Sequence, residues 1–139
     1  MVGSKIYSLG VIKNRLAPLF QDPRLQLVLL FGSFASGQVH PGSDIDIGVI
    51  LDGPVDILDL TNRVINLLHT DRVDVVDLRR ASPLLSFSAV RYGKVLYERS
   101  PGQFNMFASL SFRRYVDTQK LRDARQRFIR DFLKEKGLS

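Results

Sequence analysis

The residues with the clearest potential for chemistry are a Gly-Ser pair, Gly32 and Ser33, followed after ten intervening residues by Asp44 and Asp46. Both aspartates belong to an apolar run at 44–51 that predicts a β-strand, on which successive side chains point to opposite faces. Asp44 and Asp46 are therefore expected on one face, about 6–7 Å apart along the strand, while Ile45 turns towards the core. Two carboxylates in this arrangement repel each other unless a cation lies between them, and hard divalent cations such as Mg²⁺ prefer oxygen ligands of this kind.

The Gly-Ser pair predicts a phosphate-binding turn beside the carboxylates. Gly32 has no Cβ, so a phosphate can come close to its backbone, and Ser33 offers a hydroxyl and an N–H group. If a helix begins at residue 34, its free N–H groups add to this grip. A phosphate site next to a metal site is typical of phosphoryl or nucleotidyl transfer, in which two metal ions stabilise the attacking and leaving oxygens.

A third carboxylate is expected from the apolar run at 72–78, which also predicts a strand. Asp74 and Asp77 differ by three positions and must face opposite ways on a strand, so only one can join the site. Asp74 stands among valines, where a carboxylate is costly without a partner or a metal. Asp77 is closer to the strand end, where a solvated role costs little. We therefore favour Asp74 as third metal ligand or general base.

The elements that must position these residues follow from hydrophobic periodicity. Apolar runs predict strands and 3.6-residue repeats predict helices, in the order helix 4–20, strand 25–31, strand 44–51, helix 56–69, strand 72–78, helix 83–92, strand 94–97 and helix 104–136. Strands that alternate with helices in this way predict an α/β (α+β) fold, with a small mixed β-sheet flanked by helices and a long C-terminal helix.

Composition narrows the class of protein. A chain of 139 residues, 45% of them hydrophobic, is expected to form a packed core, and it has no cysteine, which excludes disulfides and thiolate metal sites. No apolar stretch reaches the roughly 18–20 residues that a membrane span needs. Of the net charge of +6, residues 101–139 carry nine Lys and Arg against four acids. We predict a core at 1–100 and a helical extension at 101–139, which is either an interface or a solvated, charge-rich face.

The motif resembles that of minimal nucleotidyltransferases of the DNA polymerase β superfamily, and most closely the antitoxin-type members paired with HEPN toxins. The similarity spans roughly residues 5–98. The residues that carry it match the family's Gly-Ser, Asp-x-Asp and third carboxylate: Gly32, Ser33, Ser43, Asp44, Asp46 and Asp74. The resemblance implies a nucleotidyltransferase fold, ATP as substrate with Mg²⁺, and nucleotide binding through Gly32, Ser33 and Ser43.

In the antitoxin relatives the acceptor is a tyrosine on the HEPN ribonuclease, so the resemblance implies transfer of AMP to a protein hydroxyl. Two alternatives stay open: a non-catalytic antitoxin that acts by direct binding, and a small-molecule nucleotidyltransferase. A cytoplasmic location, a HEPN-family partner and possible homo-oligomers are expected, whereas a membrane or direct nucleic-acid contact is not.

One position departs from the family pattern. Many relatives carry an arginine within the spacer where this chain has Ser36, and the loss of that cation would weaken the grip on triphosphate. Arg79, Arg80 or Arg91 are the candidates to replace it; the first two follow the third predicted strand and are expected at the site end of the sheet.

Overall fold

The computed structural model describes residues 8–32 and 44–138, and within them the four predicted strands form one sheet. Its strands are β1 (Leu25–Phe31), β2 (Ile45–Leu51), β3 (Val73–Asp77) and β4 (Lys94–Glu98), arranged in the order β3-β2-β1-β4. β1 pairs antiparallel with both β2 and β4, whereas β3 pairs parallel with β2. The sheet is therefore mixed, as predicted.

One face of the sheet is covered by two helices, α1 (Leu9–Leu16) and α2 (Ile57–Leu68). A 3₁₀ turn at Ala17–Gln21 ends α1, where Pro18 stands near its start. The buried side of α2 repeats at intervals of four residues through Leu60, Val64 and Leu68. Ile45 and Ile47 point into this core and are essentially inaccessible to solvent, which leaves the alternate residues of β2 for the other face.

The second face carries α3 (Pro83–Tyr92) and α4 (Gln103–Asp117) over a smaller apolar cluster. Ser82 caps α3 by accepting a hydrogen bond from the Leu85 N–H at 3.1 Å, with proline in the first turn. The start of α4 is tied to the sheet: Glu98 Oε2 accepts from the Phe104 N–H at 2.8 Å, and Gln103 Nε2 donates to Gln26 Oε1 at 2.6 Å.

The predicted C-terminal helix is present, but it is interrupted once. Thr118 separates α4 from α5 (Gln119–Glu135). Its hydroxyl donates to the carbonyl oxygens of Arg114 at 3.0 Å and Tyr115 at 3.2 Å, and such back-bonding competes with regular helical hydrogen bonds. Phe104 and Phe107 pack against the core, whereas α5 has no buried residue.

Two further observations concern membrane spans and the division of the chain into a core and an extension. Among the helices of the described ranges, none is long and apolar enough to cross a membrane. The division of the chain at residue 100 remains a proposal: α4 lies against the core described above, and α5 is the segment that contributes nothing to it.

Candidate functional site

The site is built on the first residues of two parallel strands. In the register of β2 with β3, Asp46 lies directly beside Asp74, so the two side chains share a face of the sheet. Asp44 is two residues before Asp46 and shares that face by strand alternation. The structure thus brings Asp44, Asp46 and Asp74 to one end of the sheet, on the face that carries α3 and α4.

The three carboxylates influence one another electrostatically. The pKa of Asp46 is raised from 3.8 to about 6, first because partial burial disfavours its charged form, and then because Asp74 and Asp44 repel that charge. Asp46 is half-buried between its two exposed neighbours. This end of the sheet therefore concentrates negative charge that a cation would relieve.

Gly32 lies on the side of Asp46 opposite to Asp74. It follows Phe31, which pairs with Asp46 across β1 and β2, and its backbone is left-handed at φ 75°. A Cβ on Gly32 would lie 2.1 Å from Asp46 Oδ2, which no side chain can occupy without displacing the carboxylate. Glycine is required here to fit the Asp46 carboxylate, a reason that the sequence alone did not reveal.

These residues fit a divalent cation through their charge and oxygen chemistry. Mg²⁺ is commonly held by one or two carboxylates together with substrate phosphate oxygens, and Asp44 and Asp46 supply such a pair. In the part of the chain that the structure describes, no three Asp, Glu, His or Cys side chains are grouped closely enough to hold one ion. The role of Asp74 as third metal ligand or general base stays a prediction from the sequence; its exposed side chain lies beside Asp46 on the neighbouring strand.

Asp77 takes the role of a strand-end residue. Its side chain belongs to the other face of β3, and its Oδ1 accepts a hydrogen bond from the Arg79 N–H at 3.1 Å. It pairs in register with Val49, near the end of β2 that is remote from Asp44. The structure therefore places Asp74, and not Asp77, with the other carboxylates.

The candidate cations are divided between the two ends of the sheet. The prediction that Arg79 and Arg80 lie at the site end is wrong, because β3 is parallel to β2 and its last residues lie at the opposite end. Arg79 there approaches Asp52, with 3.6 Å between Nη2 and Oδ1. Arg91 lies in the last turn of α3, just before Lys94, which pairs with Leu30 of β1. Arg91 is therefore at the carboxylate end and on the carboxylate face.

A separate cleft of about 1010 Å³ opens at the remote end of the same face. Its wall includes Ile50, Leu78, Met106 and Arg113, and none of the three carboxylates lines it. Leu78 also lies over Gly48, where an added Cβ would meet its Cδ atoms at 2.9 Å. This cleft is therefore distinct from the carboxylate site.

Three predicted site positions lie outside the described residues. They are Ser33 and Ser43, predicted to bind nucleotide, and Ser36, which stands where relatives carry arginine. Their roles remain predictions from the sequence.

Comparison with known proteins identifies the class. Residues 14–102 match the family model described as polymerase beta, nucleotidyltransferase. The chain belongs to this family, and the fold and enzyme class predicted from the sequence are confirmed.

The similar proteins include the protein adenylyltransferase MntA of Shewanella oneidensis, which is 36% identical over 126 residues, or 87% of each sequence. A crystal structure described as a toxin–antitoxin with AMP-PNP superposes with a TM-score of 0.72 at 36% identity, covering 87% of this chain and 98% of that one. A structure of tri-AMPylated Shewanella oneidensis HEPN toxin in complex with MNT antitoxin gives a TM-score of 0.68 at 32% identity, covering 90% and 98%. The resemblance to antitoxin-type minimal nucleotidyltransferases is thereby confirmed.

Proposed function

We propose that this protein transfers AMP from ATP to a tyrosine hydroxyl of a HEPN-family toxin, with Mg²⁺ as cofactor, and so acts as its antitoxin in the cytoplasm. The observation that carries the proposal is the placement of Asp46 beside Asp74, with Asp44 on the same face, at one end of the sheet. The relatives named adenylyltransferase, and the solved complexes with AMP-PNP and with an AMPylated toxin, support the nucleotide and the partner.

The chemistry assigns a task to each residue. The acceptor oxygen attacks the α-phosphorus of ATP, the bond from that phosphorus to the bridging oxygen breaks, and pyrophosphate leaves. Asp44 and Asp46 would hold Mg²⁺, which would neutralise charge on the phosphate oxygens. Asp74 accepts the hydroxyl proton as the acceptor attacks. Gly32 leaves the space that the Asp46 carboxylate occupies, and Ser33 and Ser43 bind the phosphates.

The first experiment removes the carboxylate pair. Asp44→Asn with Asp46→Asn should abolish label transfer from α-labelled ATP to the toxin, because a neutral amide pair no longer attracts the cation. Asp77→Asn is the matched control, since Asp77 is on the other face of β3, and it should retain wild-type transfer. Undiminished transfer by the double variant would refute the mechanism.

Mass spectrometry separates this proposal from its alternatives. Incubation of the toxin with ATP and the wild-type protein should add the mass of AMP to a toxin tyrosine. Inhibition of the toxin without any mass gain would instead indicate an antitoxin that acts by binding alone. Transfer to an aminoglycoside, but not to the toxin, would indicate a small-molecule enzyme.

A further inference from the structure

Helix α5 exposes an apolar stripe that the core does not use. Leu121, Phe128 and Phe132 recur at intervals of seven and four residues and therefore share a helix face. Their side chains are 62%, 72% and 47% exposed, and no residue of α5 is buried. An apolar helix face of this kind on a soluble protein marks an interaction surface.

The direction of α5 is set by a stack of side chains that links it to α4 and α3. The Phe87 ring of α3 stacks on the Tyr115 ring of α4, with centroids 4.2 Å apart and planes 18° apart. The Arg122 guanidinium of α5 lies 3.9 Å from the Tyr115 ring centroid, and its Nη2 donates to the Tyr115 carbonyl at 2.9 Å. Because these contacts fix the first turns of α5, the stripe is presented in a defined orientation before any partner arrives, which lowers the entropy cost of binding.

The charges of α5 indicate which kind of partner binds the stripe. Helix α5 has six Lys and Arg against three acids, and Arg125 lies on the stripe itself, four residues after Leu121. A second copy of α5 would place like charges, including its own Arg125, against these cations, which is costly at an interface. The complementary partner carries an apolar groove flanked by carboxylates.

Size also argues against a second copy. A stable interface takes roughly 20–30 residues from each side, more than the 17 residues of α5 provide. A protein whose hydroxyl must enter the carboxylate site makes a second contact there, so α5 needs to supply only part of the interface.

We propose that the apolar face of α5 is the docking surface for the toxin that the protein modifies, binding an apolar groove rimmed by acidic residues. This inference rests on the proposed function for the identity of the partner. Docking at α5 raises the local concentration of the acceptor hydroxyl at the site. It contributes affinity for the toxin but no catalytic group.

The test compares exposed apolar residues inside the stripe with one outside it. The variant combines Leu121→Ser, Phe128→Ser and Phe132→Ser; the control is Leu58→Ser, because Leu58 is 73% exposed on α2. The ligand is a purified HEPN-family toxin. Its affinity is measured without ATP, and its AMP transfer is measured with ATP over a range of toxin concentrations.

We expect the triple variant to raise the Kd and the KM for toxin at least tenfold, with kcat for transfer within twofold of wild type. Leu58→Ser should change neither. Circular dichroism should show an unchanged fold, because the replaced side chains are exposed. Arg125→Glu should weaken binding most at low salt, whereas Arg63→Glu on α2 should not.

The remaining outcomes distinguish a failure of the docking proposal from a failure of the proposed function. If the wild type modifies the toxin and the triple variant has wild-type Kd and KM, α5 is not the docking surface, although the proposed function stands. If the wild type adds no AMP to the toxin, the proposed function fails, while the ATP-free affinities still decide the docking. A change from dimer to monomer, or a loss of nucleic-acid binding, with unchanged affinity for toxin, would assign the stripe to another occupant and overturn the inference.

Discussion

The three-carboxylate cluster predicts an unusual pH dependence of stability for the metal-free protein. The pKa of Asp46 in the folded protein is about 6 instead of 3.8, so the folded state binds its proton more tightly than the unfolded state does. Below about pH 4 the carboxyl is protonated in both states and no stability is lost; as the pH rises from there, the unfolded state ionises while the folded state keeps the proton, so stability falls until Asp46 also ionises in the folded state, at about pH 6.

The size of this loss of stability follows from the difference of about two units between the folded and unfolded pKa values of Asp46, which corresponds to roughly 3 kcal/mol. Asp46 is only half-buried, so solvent screening reduces this figure, and we take about 1.5 kcal/mol as the expected cost. Asp46→Asn removes the charge. With a metal chelator present near neutral pH, the Tm of the variant should therefore be about 5 °C higher than that of the wild type, given the entropy of unfolding of a chain of this length.

Thermal unfolding of wild type, Asp46→Asn and Asp77→Asn between about pH 4 and pH 8 tests this directly. The wild type and Asp46→Asn should converge at the acid end and separate as the pH rises, while Asp77→Asn should follow the wild type. Addition of Mg²⁺ with a non-hydrolysable ATP analogue should stabilise the wild type and leave Asp46→Asn nearly unchanged. Parallel curves for wild type and Asp46→Asn across the whole range would refute the electrostatic account of the site.

Two further variants examine the surroundings of the carboxylates. Gly32→Ala places a Cβ where it would lie 2.1 Å from Asp46 Oδ2, so we expect at least a tenfold loss of Mg²⁺ affinity by titration calorimetry; an unchanged affinity would show that the carboxylate can move at no cost. Arg91→Ala should raise the KM for ATP several-fold in a transfer assay, because Arg91 lies at the carboxylate end and could replace the cation missing at Ser36. Arg79→Ala removes a cation from the remote end and should leave the KM for ATP unchanged. Equal effects of the two arginine variants on this KM would contradict the assignment of Arg91 as the replacement cation.

The strands of this fold could be predicted because their apolar runs are bounded by turns and because Asp44 and Asp46 alternate with Ile45. The two-residue period of a strand shows that only one of Asp74 and Asp77 can join the site, and the place of Asp74 among valines favours Asp74. In the structure the parallel register of β2 and β3 sets Asp74 beside Asp46, although the Asp74 side chain is exposed. These features depend on local pattern, which the sequence carries in full.

Features that depend on strand direction and tertiary contact are harder to predict from the sequence. Arg79 and Arg80 were assigned to the wrong end of the sheet, although the helix predicted between β2 and β3 is typical of a parallel crossover and indicates the opposite end. The break at Thr118 lies within uninterrupted helical periodicity. It arises where the Thr118 hydroxyl bonds to preceding carbonyls and Arg122 stacks on Tyr115, a combination that no single pattern displays.

The carboxylate site also explains why a small protein retains an unfavourable cluster of charge. Sequences usually avoid like charges on adjacent strands, because each such pair costs stability. Here the Asp46 carboxylate lies beside Asp74 and occupies space that is open only because Gly32 has no Cβ. An arrangement that violates local preference in this way is typical of a functional site whose ligand offsets the cost. The same repulsion that lowers the stability of the metal-free protein should therefore increase its affinity for Mg²⁺ and nucleotide, so that removing it by Asp46→Asn stabilises the fold and abolishes transfer together.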